Sequence, residues 1–131
     1  MAQLGYVTLG TNDLARAASF YDALLGALGA RRYIETARGI SWSFGPGTTS
    51  LSVMTPFDGR PATVGNGVMV ALGLANRGEV EHTWRLALEL GATDEGRPGL
   101  RGDIGFCAAY FRDPDGNKLA VFCIEHGRAV P

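Results

Sequence analysis

Two histidines, two cysteines and four tyrosines are the side chains of this sequence most able to do chemistry, so their spacing limits its activity. His82 lies within a predicted helix and is interpreted as a solvated surface residue. His126 follows the last predicted strand, where with Glu125 it could form a surface metal pair. Two such peripheral histidines give no Ser-His-Asp or Cys-His arrangement, and the glycines do not fit a phosphate-binding loop. Nucleophilic and nucleotide chemistry are therefore not expected.

The cysteines, Cys107 and Cys123, are too few for a disulfide framework and lack the Cys-x-x-Cys spacing of zinc and redox motifs. If a hairpin joins their two strands, they lie opposite each other on the face that packs against a helix. They would then be close enough to cross-link under oxidation, which a reducing cytoplasm opposes. We interpret both as reduced, structural residues.

The composition of the chain argues against several classes of binding partner. The 131 residues carry a formal net charge of −1, with 46% hydrophobic and 19% charged residues. This balance is typical of a globular protein and disfavours nucleic acid and anionic membranes as partners. No apolar stretch is long enough to span a bilayer, and no secretion signal is recognisable at the N-terminus. A cytoplasmic location is the expectation, and the excess of arginine over lysine suggests a bacterial genome.

Two similar sets of secondary-structure elements must position the candidate residues. In each half a strand leads into an amphipathic helix that a glycine, Gly29 or Gly91, terminates, and further strands follow. Asn76 with Glu79 resembles a capping box at the start of the second helix. The predicted strands cover residues 6–9, 31–36, 39–44, 50–54, 68–74, 104–112 and 117–125, the helices cover 14–28 and 77–90, and residues 94–103 form a loop.

The two halves indicate an internal duplication. When Tyr6 is laid over Met69, Tyr21 falls on Trp84, and the strands and helices of the halves coincide. Two such halves, each with one sheet face covered by its helix, could join edge to edge or pair with a second chain and enclose a cleft. A cleft of that kind suits a small ligand.

Three segments resemble a known family. They are residues 7–14 (VTLGTNDL), 19–21 (SFY) and 111–119 (FRDPDGNKL), and together they resemble the vicinal oxygen chelate superfamily. Its members include glyoxalases, extradiol dioxygenases, fosfomycin-modifying enzymes and bleomycin-resistance proteins. The resemblance implies an α+β fold in which two tandem βαβββ modules, about 1–58 and about 64–126, form a cup-shaped mixed sheet within a single domain of residues 1–131.

The resemblance also implies where a metal would bind. Metal-dependent members hold a divalent ion with His, Glu or Gln at equivalent positions of four strands. The first of these positions is Tyr6 here, and its counterpart in the second module is Met69. The glutamate that usually follows Asp-Pro-Asp-Gly falls on Ala120, and its counterpart in the first module is Ser52. Because a hard divalent ion prefers carboxylate and imidazole ligands, we expect no metal cofactor.

Strand alternation predicts which side chains face the cup. With Tyr6, Met69 and Ala120 pointing inward, alternate residues of the same strands point inward too. These additional residues are Thr8, Ala71, Lys118 and Phe122, together with Tyr110 from the neighbouring strand. The lining is therefore expected to be apolar and aromatic with a few hydroxyl groups, which suits a flat or apolar small molecule. Alternatively, the aromatic side chains fill the interior and leave no cavity.

The candidate ligand-binding residues include two that lie outside this pattern. Trp42 could stack on a ligand near the rim or cover a dimer contact. Arg101, with Arg97 in the predicted loop, could pair with a carboxylate or phosphate, or both could be solvated. The full candidate set is Tyr6, Thr8, Trp42, Ser52, Met69, Arg101, Tyr110, Ala120 and Phe122.

The missing metal ligands favour a metal-free protein that binds a small apolar or aromatic molecule in its cup, similar to the bleomycin-resistance branch. That resemblance implies a homodimer. A second hypothesis is a glyoxalase-like lyase, isomerase or dioxygenase with non-standard or no metal ligands, in which Tyr6 or Tyr110 acts as an acid or base. A third hypothesis is a non-catalytic dimerisation module.

Overall fold

The computed structural model describes residues 1–125, and the chain divides into two compact units, the first ending at Gly65 and the second beginning at Asn66. In the described residues each unit has one helix and one four-stranded sheet. The first unit contains β1 (Tyr6–Gly10), α1 (Leu14–Ala27), β2 (Arg31–Glu35), β3 (Gly39–Ser43) and β4 (Ser50–Met54). The second contains β5 (Val70–Gly73), α2 (Arg77–Glu89), β6 (Thr93–Arg101), β7 (Phe106–Arg112) and β8 (Lys118–Ile124).

Both sheets have the same topology. The strand orders are β1-β4-β3-β2 and β5-β8-β7-β6, with the first pair in each sheet parallel and the others antiparallel. Thr8 lies beside Ser52 in one sheet, and Ala71 lies beside Ala120 in the other. Residues that correspond when the two halves of the sequence are overlaid therefore occupy corresponding positions in the two sheets. The predicted α+β fold of two βαβββ modules is confirmed.

Helix α1 covers one face of the first sheet. Its N-cap residue Asp13 accepts a hydrogen bond from the backbone N–H of Arg16, and after the last turn Gly29 adopts a φ of 90°. Leu14, the first residue of the helix, and Leu28, which follows its last residue, are half-buried. The buried residues of the helix are Ala17, Ala18, Phe20, Tyr21, Leu24 and Leu25.

Helix α2 covers one face of the second sheet. The side chain of Asn76 accepts a hydrogen bond from the N–H of Glu79, whose carboxylate accepts one from the N–H of Ala75. The first bond confirms Asn76 as the N-cap residue at the predicted start of the helix, whereas the second comes from the residue before the N-cap and so differs from a standard capping box. His82 lies on the exposed side, as predicted. No helix within residues 1–125 is long and apolar enough to cross a membrane.

The segment predicted as a loop at residues 94–103 is largely a strand, and this prediction was wrong. Strand β6 pairs antiparallel with β7, and the pairing register shifts on either side of Gly96. Because β6 is the edge strand of its sheet, it tolerates Pro98, which has no N–H to donate. The glycines and proline hide the alternating pattern that normally indicates a strand.

The two cysteines lie where the hairpin prediction placed them. Cys107 on β7 is paired in register with Cys123 on β8, and both are free thiols buried against the helix side of the sheet. Burial raises the pKa of the Cys123 thiol. Both residues therefore contribute to the core of the second unit as small apolar side chains.

Candidate functional site

The side of each sheet opposite its helix, here called the open face, carries most of the predicted site residues. In the first unit the ring of Tyr21 on α1 packs 5.6 Å from the ring of Trp42 on β3. Since side chains alternate along a strand, Ser41 and Ser43 point away from the helix. Ser41 is paired with Ser52, which is paired in turn with Thr8. The three strands thus place these side chains on one open face.

Hydroxyl groups line the open face of the first sheet. The hydroxyls of Ser41 and Ser52 are hydrogen-bonded at 2.5 Å. Strand pairing adds further hydroxyls on this face, from Tyr6, Thr8, Ser43 and Ser50. The expected lining was apolar and aromatic with a few hydroxyl groups, including those of Tyr6, Thr8 and Ser52, and the structure adds Ser41, Ser43 and Ser50 to this face. The alternation of serine with large apolar residues at 41–43 (SWS) and 50–52 (SLS) is the sequence signal that reveals these hydroxyls.

The open face of the second sheet has a floor of small residues with aromatic side chains around it. Phe111 is paired with Leu119, the register that turns Tyr110 to the open face as predicted. The rings of Phe106 and Phe122 lie 5.4 Å apart. The same face of the strands carries the small residues Ala71 and Gly73, which are exposed, and Ala108 and Ala120, which are buried. This face is apolar and aromatic, as expected.

Two cations lie against one aromatic ring of this second face. The guanidinium carbon of Arg101 is 5.5 Å from the centre of the Tyr110 ring, and the ammonium of Lys118 is 5.4 Å from it. Both distances are within the range of cation–π attraction. Arg101, predicted in a loop, is the last residue of β6, whereas Arg97 on the same strand is exposed. The sequence placed Lys118 in the lining but gave no sign that Lys118 and Arg101 contact the same aromatic ring.

Trp42 does not belong to either open face. Its side chain is only 1% exposed, and its indole N–H donates a 2.9 Å hydrogen bond to Asp22 of α1. Hydrogen bonds from Arg32, together with that of Trp42, hold the pKa of the Asp22 carboxyl below its usual value. Stacking of Trp42 on a ligand or a dimer partner was therefore a wrong expectation, since the residue is a core anchor between α1 and β3.

The positions implied for a family metal do not fit a divalent ion. The hydroxyl of Ser52 is already bonded to Ser41, Tyr6 is 65% exposed, and Met69 and Ala120 offer a thioether and a methyl group. Within residues 1–125 there is no group of three or more His, Cys, Asp or Glu side chains that could hold a metal. His126, the other candidate ligand, lies outside the described residues.

The two candidate catalytic tyrosines occupy different surroundings. Tyr6 is on the edge strand β1 and largely exposed, whereas Tyr110 is half-buried on β7 between its two cations. Neither hydroxyl has a hydrogen-bond partner within the described residues, so neither is paired with a side-chain base. A role for either residue in acid or base chemistry stays a prediction.

Comparison with known proteins agrees with this geometry. A glyoxalase/bleomycin resistance protein from Albidiferax ferrireducens is 32% identical, with 93% of this chain and 98% of that chain covered and a TM-score of 0.84. A glyoxalase/bleomycin resistance protein/dioxygenase family enzyme from Burkholderia phytofirmans is 16% identical, with 95% and 100% covered and a TM-score of 0.76. Lactoylglutathione lyase from Agrobacterium tumefaciens is 19% identical, with 94% of both chains covered and a TM-score of 0.71.

The last two likenesses show the fold alone. Comparison with curated proteins gives no significant match. A family model, described as the Glyoxalase/Bleomycin resistance protein/Dioxygenase superfamily, matches residues 3–121. That match spans both βαβββ units, and the chain therefore belongs to the glyoxalase/bleomycin resistance protein/dioxygenase superfamily.

Proposed function

We propose that the protein binds a small organic molecule on the open face of one of its sheets and does so without a metal. The observation that carries this proposal is the replacement of the implied metal ligands by Tyr6, Ser52, Met69 and Ala120. These positions hold hydroxyl, thioether and methyl groups, which contact organic molecules well and divalent ions poorly. Sequestration or transport of the molecule, rather than its conversion, is the corresponding function.

Each open face, taken by itself, offers contacts to such a ligand. The first presents a row of hydroxyl groups, in which the bond between Ser41 and Ser52 fixes the orientation of two of them. The second presents an apolar floor bounded by Phe106, Phe122 and Tyr110. Ligand sites typically combine an apolar surface with a few well-placed polar groups. We further propose a homodimer, as the family resemblance implies, and a bacterial cytoplasm, as the sequence composition suggests.

An enzyme of the lyase, isomerase or dioxygenase type is the second candidate. It is favoured by Tyr110, whose hydroxyl has no partner within residues 1–125 and is therefore available to exchange a proton with a ligand. Tyr110→Phe distinguishes the candidates because it keeps the aromatic ring and removes only the hydroxyl. A binding protein keeps its affinity after this change, whereas an enzyme using the hydroxyl loses turnover.

Blocking the second open face should abolish ligand binding. Ala71 lies on the edge strand β5 and is exposed, so Ala71→Phe places a ring over the floor at little cost to packing. In a thermal-shift screen against aromatic natural products and organic acids, we expect a saturating ligand to raise the melting temperature of the unmodified protein by about 5 °C. The same ligand should give no shift with Ala71→Phe.

Ala23→Phe is the matched control for this screen, since Ala23 is an exposed alanine on α1 and distant in sequence from the open face. This variant should bind as the unmodified protein does. The proposal fails if no compound in the screen shifts the melting temperature, or if Ala71→Phe responds as strongly as Ala23→Phe.

A further inference from the structure

We infer that the open face of the second sheet selects organic anions, with Arg101 and Lys118 as the groups that bind the anionic oxygen atoms. The inference rests on the proposed function and specifies the ligand class. The ligand is a molecule with an aromatic or apolar body and a carboxylate or phosphate group. Its body lies on the floor of small residues, and its charged group reaches the two cations beside Tyr110.

The two cations come from different strands and converge on one ring. Arg101 ends β6 and Lys118 begins β8, and these strands lie on either side of β7, which carries Tyr110. Like charges repel, so holding both beside a single side chain is unfavourable unless something compensates them. The negative face of the aromatic ring offsets part of this repulsion. An anion bound to either cation would offset more of it.

No carboxylate within the described residues neutralises either cation. Three other arginines of this unit do have acidic partners. They are Arg77 with Glu125, Arg85 with Glu81, and Arg112 with Glu95. Arg101 instead donates hydrogen bonds to backbone carbonyls, and Lys118, among residues 1–125, contacts the ring of Tyr110 and no carboxylate. In the part of the chain that the structure describes, the face therefore carries two positive charges without an acidic partner, although the chain as a whole has a net charge of −1.

Backbone contacts hold the guanidinium of Arg101 in place. Its Nη2 donates a 2.7 Å hydrogen bond to the carbonyl of Arg97. A Cβ at Gly99 would lie only 2.9 Å from Nη1 of Arg101, so the guanidinium occupies the space that glycine leaves free. A guanidinium fixed in this way loses less conformational entropy when it binds a carboxylate or phosphate through two parallel hydrogen bonds.

The surroundings of the cations argue for an organic anion rather than an inorganic one. Next to Lys118 on β8, alternate positions are occupied by Ala120 and Phe122, and Ala71 lies beside Ala120. Ala120 is buried, whereas the exposed methyl group of Ala71 and the half-buried ring of Phe122 offer an apolar surface to the body of the ligand. A free phosphate ion would contact the two cations and leave that apolar surface unused.

The test is a calorimetric titration of the full chain with four probes: cinnamate, phenyl phosphate, neutral cinnamamide and inorganic phosphate. We expect one or both organic anions to bind at least about tenfold more tightly than cinnamamide and inorganic phosphate. Whether cinnamate or phenyl phosphate binds more tightly distinguishes a carboxylate from a phosphate as the preferred group.

Substitutions of Arg101 and Lys118 then test whether these two cations cause the tighter binding of organic anions. Arg101→Gln and Lys118→Gln should each weaken anion binding about ten- to a hundredfold and leave cinnamamide binding unchanged. Gly99→Ala keeps both charges but pushes Nη1 of Arg101 aside, so it should weaken anion binding too. Arg85→Gln is the matched control because Arg85 lies on α2 and is paired with Glu81. It should bind all probes as the unmodified protein does.

The outcomes separate this inference from the proposed function. Equal affinity for cinnamate, phenyl phosphate and cinnamamide would overturn the selection of anions while supporting the binding of organic molecules. Tight binding of inorganic phosphate alone, or unchanged anion binding by Arg101→Gln and Lys118→Gln, would also overturn the inference. No binding of any probe up to about 10 mM would overturn the inference and count against the proposed function.

Discussion

Replacing Asp113 by alanine is expected to lower the free energy of unfolding by about 3 kcal/mol. Asp113 is 3% exposed and follows β7 at the turn into β8. Its Oδ1 accepts hydrogen bonds from the backbone N–H groups of Asp115 and Asn117, each at 2.9 Å, and its Oδ2 accepts one from the side-chain amide of Asn117 at 3.0 Å. Alanine would leave these donors unsatisfied in or near the core.

Asp113→Asn is the matched control for this change. Asparagine keeps one oxygen that can accept from the two backbone N–H groups, so we expect it to lose less than half of the stability that alanine loses. Urea unfolding followed by circular dichroism measures both values. A loss below about 1 kcal/mol for Asp113→Ala would contradict the structural role assigned to this carboxylate.

This expectation bears on the motif that most clearly marks the family. In residues 111–119 (FRDPDGNKL), the carboxylate of the first aspartate accepts the hydrogen bonds that build the hairpin turn. The turn fixes the register of β7 against β8, and that register places Lys118 and Ala120 on the open face beside Tyr110. The motif therefore supports the site through the backbone.

Trp42→Ala should destabilise the protein by about 4 kcal/mol, the second large effect that we expect. The indole of Trp42 is almost fully buried against Tyr21, and its N–H is bonded to Asp22. Asp22 also accepts two hydrogen bonds from Arg32, so the indole belongs to a polar cluster joining α1 to β2 and β3. Truncation removes the packing and leaves a cavity in the first unit.

Two comparisons separate the contributions of Trp42. Trp42→Phe keeps an aromatic ring and removes the N–H donor, so it should cost about 1 to 2 kcal/mol. Trp84→Ala, at the position that the duplication makes equivalent to Tyr21, removes a half-exposed side chain and should cost less than Trp42→Ala. If Trp42→Ala unfolds in urea with the same midpoint as the unmodified protein, the assignment of Trp42 as a core anchor is wrong.

The parts of the fold that could be predicted are those that depend on short, local sequence patterns. The alternation of residue types along the chain predicted β4 at Ser50–Met54. The glycines that follow the two helices predicted where each helix ends. The turn after β7 set the register of a hairpin, so the pairing of Cys107 with Cys123 followed from counting residues. Each of these features depends on residues close together in the sequence.

The parts that could not be predicted depend on pairing between strands. The sequence of β6 shows little alternation of apolar and polar residues. The segment forms a strand because it pairs with β7 along one edge of the sheet. The register shifts on either side of Gly96 decide which face Arg101 occupies, so its approach to Tyr110 could not be counted from the sequence. The orientation of Trp42 required the pairing of β3 with β4, which places Ser41 beside Ser52.

The metal content of the purified protein tests the central proposal most directly. Elemental analysis of tag-free protein, followed by titration with manganese, iron, nickel and zinc while the melting temperature is recorded, compares the metal-free and metal-bound states. We expect less than about one tenth of a metal ion per chain and no shift in melting temperature. One bound metal ion per chain, with a raised melting temperature that Tyr6→Phe abolishes, would contradict a metal-free site.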